Sequence, residues 1–380
     1  MGKYTVLDDS ALDAKIDYEI GLCRDRILSL FGKGVYSIAL IGGYGRGEGG
    51  IREFNGALLP ANNYDLLIVL KKICSFERKG INKTLRVLKT ELDKRISTVF
   101  EASCRSAAEL KRVPRIMLYQ DVYNSSKTVY GEEIRGLLPA DIAAPLPQIE
   151  ALRVIRNRSV LLLLGPDGIL PEGYDATPQQ MRTWYSKAVI GFGDAVLILK
   201  KSYRTGYSDK MDAIQRLPLE GIFKVSEDAD RFKVLHKAAS RYRLKGEASA
   251  LLDARDKDAG LFEQINLWAL REYLEDPGFE WNRIFDTPLH SGGSAGKRIR
   301  NALANLNDGG LARFLGRAFS GPENIFIHPA EKLFKVLPLL IYRPAEDAVS
   351  GCASELALPS AAGEPEVRRE CFRIFNKYVA

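Results

Sequence analysis

The sequence predicts an α+β chain. Strands and helices alternate up to about residue 140 and helices alone follow, so residues 1–140 and 141–380 read as two domains. Three observations carry this. Two apolar, β-rich runs, Val35–Ile41 and Leu66–Leu70, flank a glycine-rich stretch. After Leu138-Pro139 the glycine-flanked strands give way to long runs with apolar residues at helical spacing. At 380 residues the chain is long enough for two separate cores.

The elements follow in order. Asp9 or Ser10 caps a first helix that runs to Phe31, with Leu12, Ile16, Ile20, Cys23, Ile27 and Leu30 on one face. Gly32 and Gly34 stop it. A buried strand starts at Val35 and ends in Gly42-Gly43. The stretch Ile51–Asn62 reads as a loop or short excursion, punctuated by Asn55-Gly56 and Pro60. Asp65 stands at the entrance of the next strand. Further expectations are a helix over Asn82–Arg95, a strand over Ser97–Ala102, a short helix over Ser106–Lys111 and a strand over Thr128–Tyr130. Ile116–Tyr123 fits either type. The domain boundary falls at 138–145. Helices are then expected over Leu146–Leu164, Pro178–Tyr203, Asp228–Leu244, Ala259–Leu274, Ser294–Asn305, Pro329–Tyr342 and Glu366–Tyr378, with Pro344–Glu366 a loose connection.

Composition excludes several classes. Hydrophobic content of 46% and charged content of 27% belong to an ordinary globular chain, not a disordered one. The net charge of +7 favours anionic ligands without demanding nucleic acid. Five scattered cysteines without a C-x-x-C pair suit a reducing compartment better than a disulfide framework or zinc site. No apolar run is long enough to span a bilayer, and the N-terminus lacks a signal-peptide core. The expected location is the cytoplasm, with no membrane partner.

The glycines at 42, 43, 45 and 47 carry two readings. They bring backbone N–H groups close to a polyphosphate, helped by Arg46, or they make a tight turn that binds nothing. No Lys-Ser or Lys-Thr follows, so the stretch is not a P-loop, and the last spacing is wrong for a dinucleotide fingerprint.

The combination is more specific. Gly42-Gly43-Tyr44-Gly45-Arg46-Gly47, followed by Asn63-Tyr64-Asp65-Leu66-Leu67, resembles the nucleotidyltransferase fold of the polymerase-β-like superfamily. There a G-G-x-A-R-G-like turn precedes D-x-D on the next strand. The resemblance covers about residues 35–135. It implies a mixed sheet with flanking helices, followed by the all-helical domain. It also implies a nucleoside triphosphate substrate such as ATP, a magnesium or manganese cofactor, and transfer of a nucleotidyl group to a hydroxyl of a small molecule, sugar, protein or RNA.

By the same resemblance, Gly42, Gly43, Tyr44, Gly45, Arg46 and Gly47 bind the nucleotide. Asp65 and Glu101 hold metal, and Glu101 takes the place of the third carboxylate. Asn63 stands where the first is expected, and an amide oxygen coordinates metal without adding charge. That departure keeps a second reading open: a nucleotide-binding or regulatory protein of the same fold with impaired catalysis. Glu48 either makes up part of the missing charge or is an exposed loop acid.

The helical half offers weaker signals. Asp194 on an apolar helix either faces a cleft or is a hydrogen-bonded buried acid. Arg231-x4-His236 superficially resembles a motif of helical ribonuclease domains. The basic residues Lys237, Arg241, Arg243 and Lys245, and Lys297, Arg298 and Arg300, form solvated faces or a landing surface for RNA, a third reading of the whole chain. His290 and His328 are assigned to surface or capping roles, and Trp184, Tyr185, Trp268 and Trp281 to packing.

Overall fold

The computed structural model describes residues 2–74, 76–165, 170, 177–247, 249–253, 255–287, 289, 297–308, 326–343, 345–359 and 361–378. It is α+β. The chain divides into two compact units: Met1–Pro147 with Lys200–Arg216 and Ser240–Ser249, and Gln148–Leu199 with Leu217–Ala239 and Ala250–Ala380. The first unit is thus discontinuous, which a single cut in the sequence does not express.

In the first unit, α1 (Ser10–Phe31) begins where the Asp9 carboxylate accepts the Leu12 N–H. It buries Leu12, Ile16, Ile20, Cys23 and Ile27. Then come β1 (Val35–Ile41), the short α2 (Gly42–Arg46), β2 (Ile51–Phe54), β3 (Ala57–Pro60), β4 (Tyr64–Leu70), α3 (Glu77–Leu92) and β5 (Phe100–Ser106). The short α4 (Ala107–Leu110), α5 (Met117–Ser125) and β6 (Lys127–Gly131) complete the series. Four strands form one mixed sheet in the order β5-β4-β1-β6. β1 is antiparallel to β4 and β6, whereas β4 and β5 are parallel and joined through α3.

Helices cover both faces of this sheet, which is why its central strands are apolar throughout rather than alternating. Ile38, Leu40, Leu66 and Ile68 pack in one core with Ile16 and Ile20 of α1 and Leu85 and Leu88 of α3. Ala39, Leu67 and Val69 pack on the other face with Leu110, Tyr119 and Val122.

Two local expectations are corrected and one open alternative is resolved. The stretch Ile51–Asn62 is not a loop but holds the β2–β3 hairpin. Its turn residues Asn55 and Gly56 have φ of 51° and 76°, as the tightest hairpin turns require. Of the two types open for Ile116–Tyr123 the structure has the helix, from Met117, with Tyr119 and Val122 buried in the core that holds Ala39 and Val69. The segment expected to be a loose connection forms a helix over Glu346–Glu355, whose Cys352 and Ala353 are fully buried.

Among the described residues, seven helices lie in the second unit: α6 (Ile149–Leu163), α7 (Pro178–Leu199), α10 (Ala259–Leu274), α11 (297–308), α12 (Pro329–Tyr342), α13 (Glu346–Glu355) and α14 (Glu364–Tyr378). α8 (Tyr207–Arg216) belongs to the first unit, and α9 (Ser226–Lys245) contributes residues to both. α7 is buried on all sides from Ala188 to Leu199, so it is the core helix, with α6 packed along it. Asp194 is a buried acid within it. Trp184, Tyr185, Trp268 and Trp281 are buried. No helix among the described residues is long and apolar enough to cross a membrane. His290 and the start of the helix expected from Ser294 lie outside the described residues.

His328 caps α12: its Nδ1 accepts the Ala330 N–H at 3.2 Å. Burial holds its pKa below the ordinary 6.5; Arg156 and Lys297 add to the shift, while Glu331 and Asp308 oppose it. The unfolded chain therefore takes up this proton first. The contribution is constant above pH 6.5, and stability falls as pH drops from there toward the folded value, by at most about 1.4 kcal/mol per pH unit. Thermal unfolding between pH 7.5 and 5 is expected to show this loss in the natural protein. His328→Asn, which keeps a capping oxygen, should flatten it.

Candidate functional site at the ends of β1 and β4

The glycine stretch leaves the sheet at the end of β1 and is fastened from beneath by Tyr44. This side chain is fully buried, and its Oη donates to the Gly50 carbonyl at 2.8 Å. Its ring meets Tyr64 edge-on at 5.0 Å. Tyr64 in turn donates to Glu19 at 2.8 Å, and Glu19 also accepts the Ser97 N–H and hydroxyl at 3.0 and 2.9 Å. Gly49 has no room for a side chain, since a Cβ there would stand 2.0 Å from the Tyr44 ring. Tyr44, expected to bind nucleotide, is thus a core residue; any contact it makes with a ligand falls to its backbone.

Asp65 is placed by strand pairing. Its residue is opposite Ile41 on β1 and opposite Glu101 on β5. Aligned residues of neighbouring strands project to the same side, so the two carboxylates share a face and an end of the sheet. Gly42 lies against Asp65: it has φ of 68°, and a Cβ there would be 2.5 Å from Asp65 Oδ2. Only glycine meets both conditions without strain. Asn63 is exposed and two residues before Asp65, at the same end.

Glu101 is half exposed and pairs with Lys89 Nζ of α3 at 3.0 Å. Lys89 also meets Asp93 at 3.1 Å and donates to the Phe100 carbonyl at 2.9 Å. Partial burial lowers the pKa of this ammonium, but its bonds to Glu101 and Asp93 outweigh that and leave it raised. A fixed positive charge therefore stands beside one of the two expected metal ligands.

Arg46 is enclosed rather than projecting. Its side chain is 10% exposed, with Nε 3.6 Å from Glu48 and a terminal nitrogen 3.8 Å from Asp121. Its guanidinium lies 5.1 Å from the centre of the Tyr207 ring. Glu48 is not an exposed loop acid: it is 4% exposed and accepts the backbone N–H groups of Tyr207 and Ser208 at 2.6 and 3.0 Å. Sequence reasoning missed Lys89, Asp121 and Tyr207 as neighbours of the glycine stretch or its acids. Lys89 and Asp93 at i, i+4 hinted at an ion pair, but nothing local pointed from residue 48 to residue 207.

Among the described residues, no group of three or more His, Cys, Asp or Glu side chains is gathered so as to hold a metal ion. What this end of the sheet offers is two carboxylates, Asp65 and Glu101, and the Asn63 amide. That donor set fits one magnesium ion, which needs only one or two carboxylates beside phosphate oxygens.

In the second unit, Arg231 and His236 are not brought to a common task. Arg231 pairs with Asp258 at 3.0 Å, and the His236 ring fills the space left by Gly193 on α7.

Comparison with known proteins adds no family: no family model and no curated protein matches the chain.

Gly42→Ala should test the packing at Asp65. The left-handed backbone alone costs an alanine about 1–2 kcal/mol, and the Cβ must also displace the Asp65 carboxylate. Urea unfolding should show a loss of at least that size, whereas Gly80→Ala, where nothing lies within 4 Å of an added Cβ, should show none.

Proposed function

We propose that this end of the sheet is a nucleotidyl-transfer site, acting on a nucleoside triphosphate such as ATP with magnesium or manganese. One observation carries the reading: Asp65 and Glu101 stand in register on adjacent strands while the glycine turn closes against Asp65. It is supported by the mixed sheet, in which β1 is antiparallel to β4 and β4 parallel to β5. In this reading Asp65 and Glu101 hold the cation, Asn63 adds a neutral oxygen, and backbone N–H groups of Gly42–Gly47 bind phosphate oxygens. When bound, the cation neutralises phosphate charge and orients the leaving pyrophosphate.

The acceptor hydroxyl oxygen forms a bond to the α-phosphorus, and the bond from that phosphorus to the pyrophosphate oxygen breaks. The hydroxyl proton goes to the Asp65 or Glu101 carboxylate. Five unpaired cysteines suit a cytoplasmic setting.

Two observations favour a second reading, a nucleotide-binding or regulatory protein with impaired catalysis. Asn63 carries no charge, and Lys89 already occupies Glu101. Pyrophosphate release from labelled triphosphates separates the two. The first reading expects turnover in the natural protein and a loss of at least a hundredfold in Asp65→Ala. Turnover that arises only in Asn63→Asp establishes the second. Triphosphate binding by neither protein removes both.

A further inference from the structure

The glycine stretch is tied to a segment far along the chain. Both oxygens of Glu48 accept the first N–H groups of α8, at Tyr207 and Ser208, from 159 and 160 residues away. A helix ordinarily takes such a bond from a side chain just before its first turn. Here that position holds Gly206, which has no side chain, and a Cβ there would lie 3.2 Å from Glu48 Oε1. The cap is therefore supplied by the glycine stretch.

Further contacts reinforce the tie, one directly from the glycine stretch and others through α5 or within residues 203–210. Arg46 lies over the Tyr207 ring and reaches toward both Glu48 and Asp121. Tyr203 Oη donates to Asp121 Oδ1 at 2.9 Å. Asn124 Nδ2 donates to Thr205 Oγ1 at 3.0 Å. Lys210 Nζ lies 4.8 Å from the Tyr203 ring and 5.8 Å from that of Tyr207. All of these residues belong to the first unit.

We infer that residues 203–208 form a latch that sets the conformation of the glycine stretch, with Glu48 as its positioning residue for the bound anion. The physical reason is entropic. Four glycines in six residues leave a chain with many accessible backbone states. A buried carboxylate is stable only while its donors are in place. The Glu48 oxygens, the first turn of α8 and the shape of residues 42–49 therefore form one equilibrium. By linkage, a ligand that orders the stretch also orders the first turn of α8, and the reverse holds equally. Glu48 touches no ligand; it acts through the backbone it holds. Only the identity of the ligand rests on the function proposed above.

Hydrogen exchange of the full chain tests the latch. Glu48→Ala should speed exchange at least tenfold at Tyr207 and Ser208 and at residues 43–49, with β1 and β4 unchanged. Glu48→Gln, which keeps an acceptor oxygen, should restore part of the protection at both places. If Glu48→Ala unfolds the sheet, Tyr203→Phe, which removes one latch bond, must loosen both segments together. Faster exchange at 207–208 with residues 43–49 unmoved overturns the inference and leaves Glu48 a helix cap only. ATP with magnesium, added to the natural protein, should slow exchange in both segments. If it changes neither while Glu48→Ala still loosens both, the latch stands and the nucleotide reading falls.

Discussion

The register of β1 against β4 is the constraint on which the rest of the first unit depends. Pairing Ile41 with Asp65 brings the last residue of one strand beside the first acid of the next. It also sets Gly42 against that carboxylate. Apolar residues on both faces hold the register, because each face has its own core to fill. A slip by one residue would exchange Leu66 and Leu67 between those cores and turn Asp65 toward the α1 side. The hydrophobic pattern of the strands therefore places the polar chemistry at their ends.

Charge around that end is largely committed to the protein itself. Arg46 stands as an ion-pair neighbour of Glu48 and Asp121, the Glu48 oxygens accept the first N–H groups of α8, and Lys89 pairs with Glu101 and Asp93. The two groups differ in what a ligand would have to displace. The Arg46 set is buried, and opening it would leave charges without partners, at a cost of several kcal/mol. The Lys89–Glu101 pair is roughly half exposed, and such pairs contribute about 1 kcal/mol or less. A divalent cation binding to Glu101 can therefore displace Lys89 at small expense, whereas the glycine stretch keeps its internal fastening.

Much of this was legible in the sequence. Period and punctuation located α1, β1, β4 and most of the later helices, because each buries a regular face. The in-register pair Asp65 and Glu101 was reachable through a resemblance over residues 35–135. What escaped was of two kinds. The β2–β3 hairpin carried its own local sign, Asn55-Gly56, which reads as loop punctuation and as a hairpin turn alike, whereas the helix over Glu346–Glu355 depends on burial of Cys352 and Ala353. The roles of Tyr44, Arg46 and Glu48 depend on residues up to 160 positions away, and no local pattern encodes such distances. The glycines themselves carried a mixed signal: Gly42 and Gly49 are demanded by packing against Asp65 and Tyr44, whatever the stretch binds.

The central claim is that Asp65 and Glu101 act together as an anion pair for a divalent cation in the presence of a triphosphate. Paramagnetic broadening by manganese, read on the backbone amides of the full chain with ATP present, tests it most directly. The account predicts broadening centred on residues 42, 65 and 101 and its loss in Asp65→Asn. Broadening centred elsewhere, or unchanged in Asp65→Asn, would contradict it.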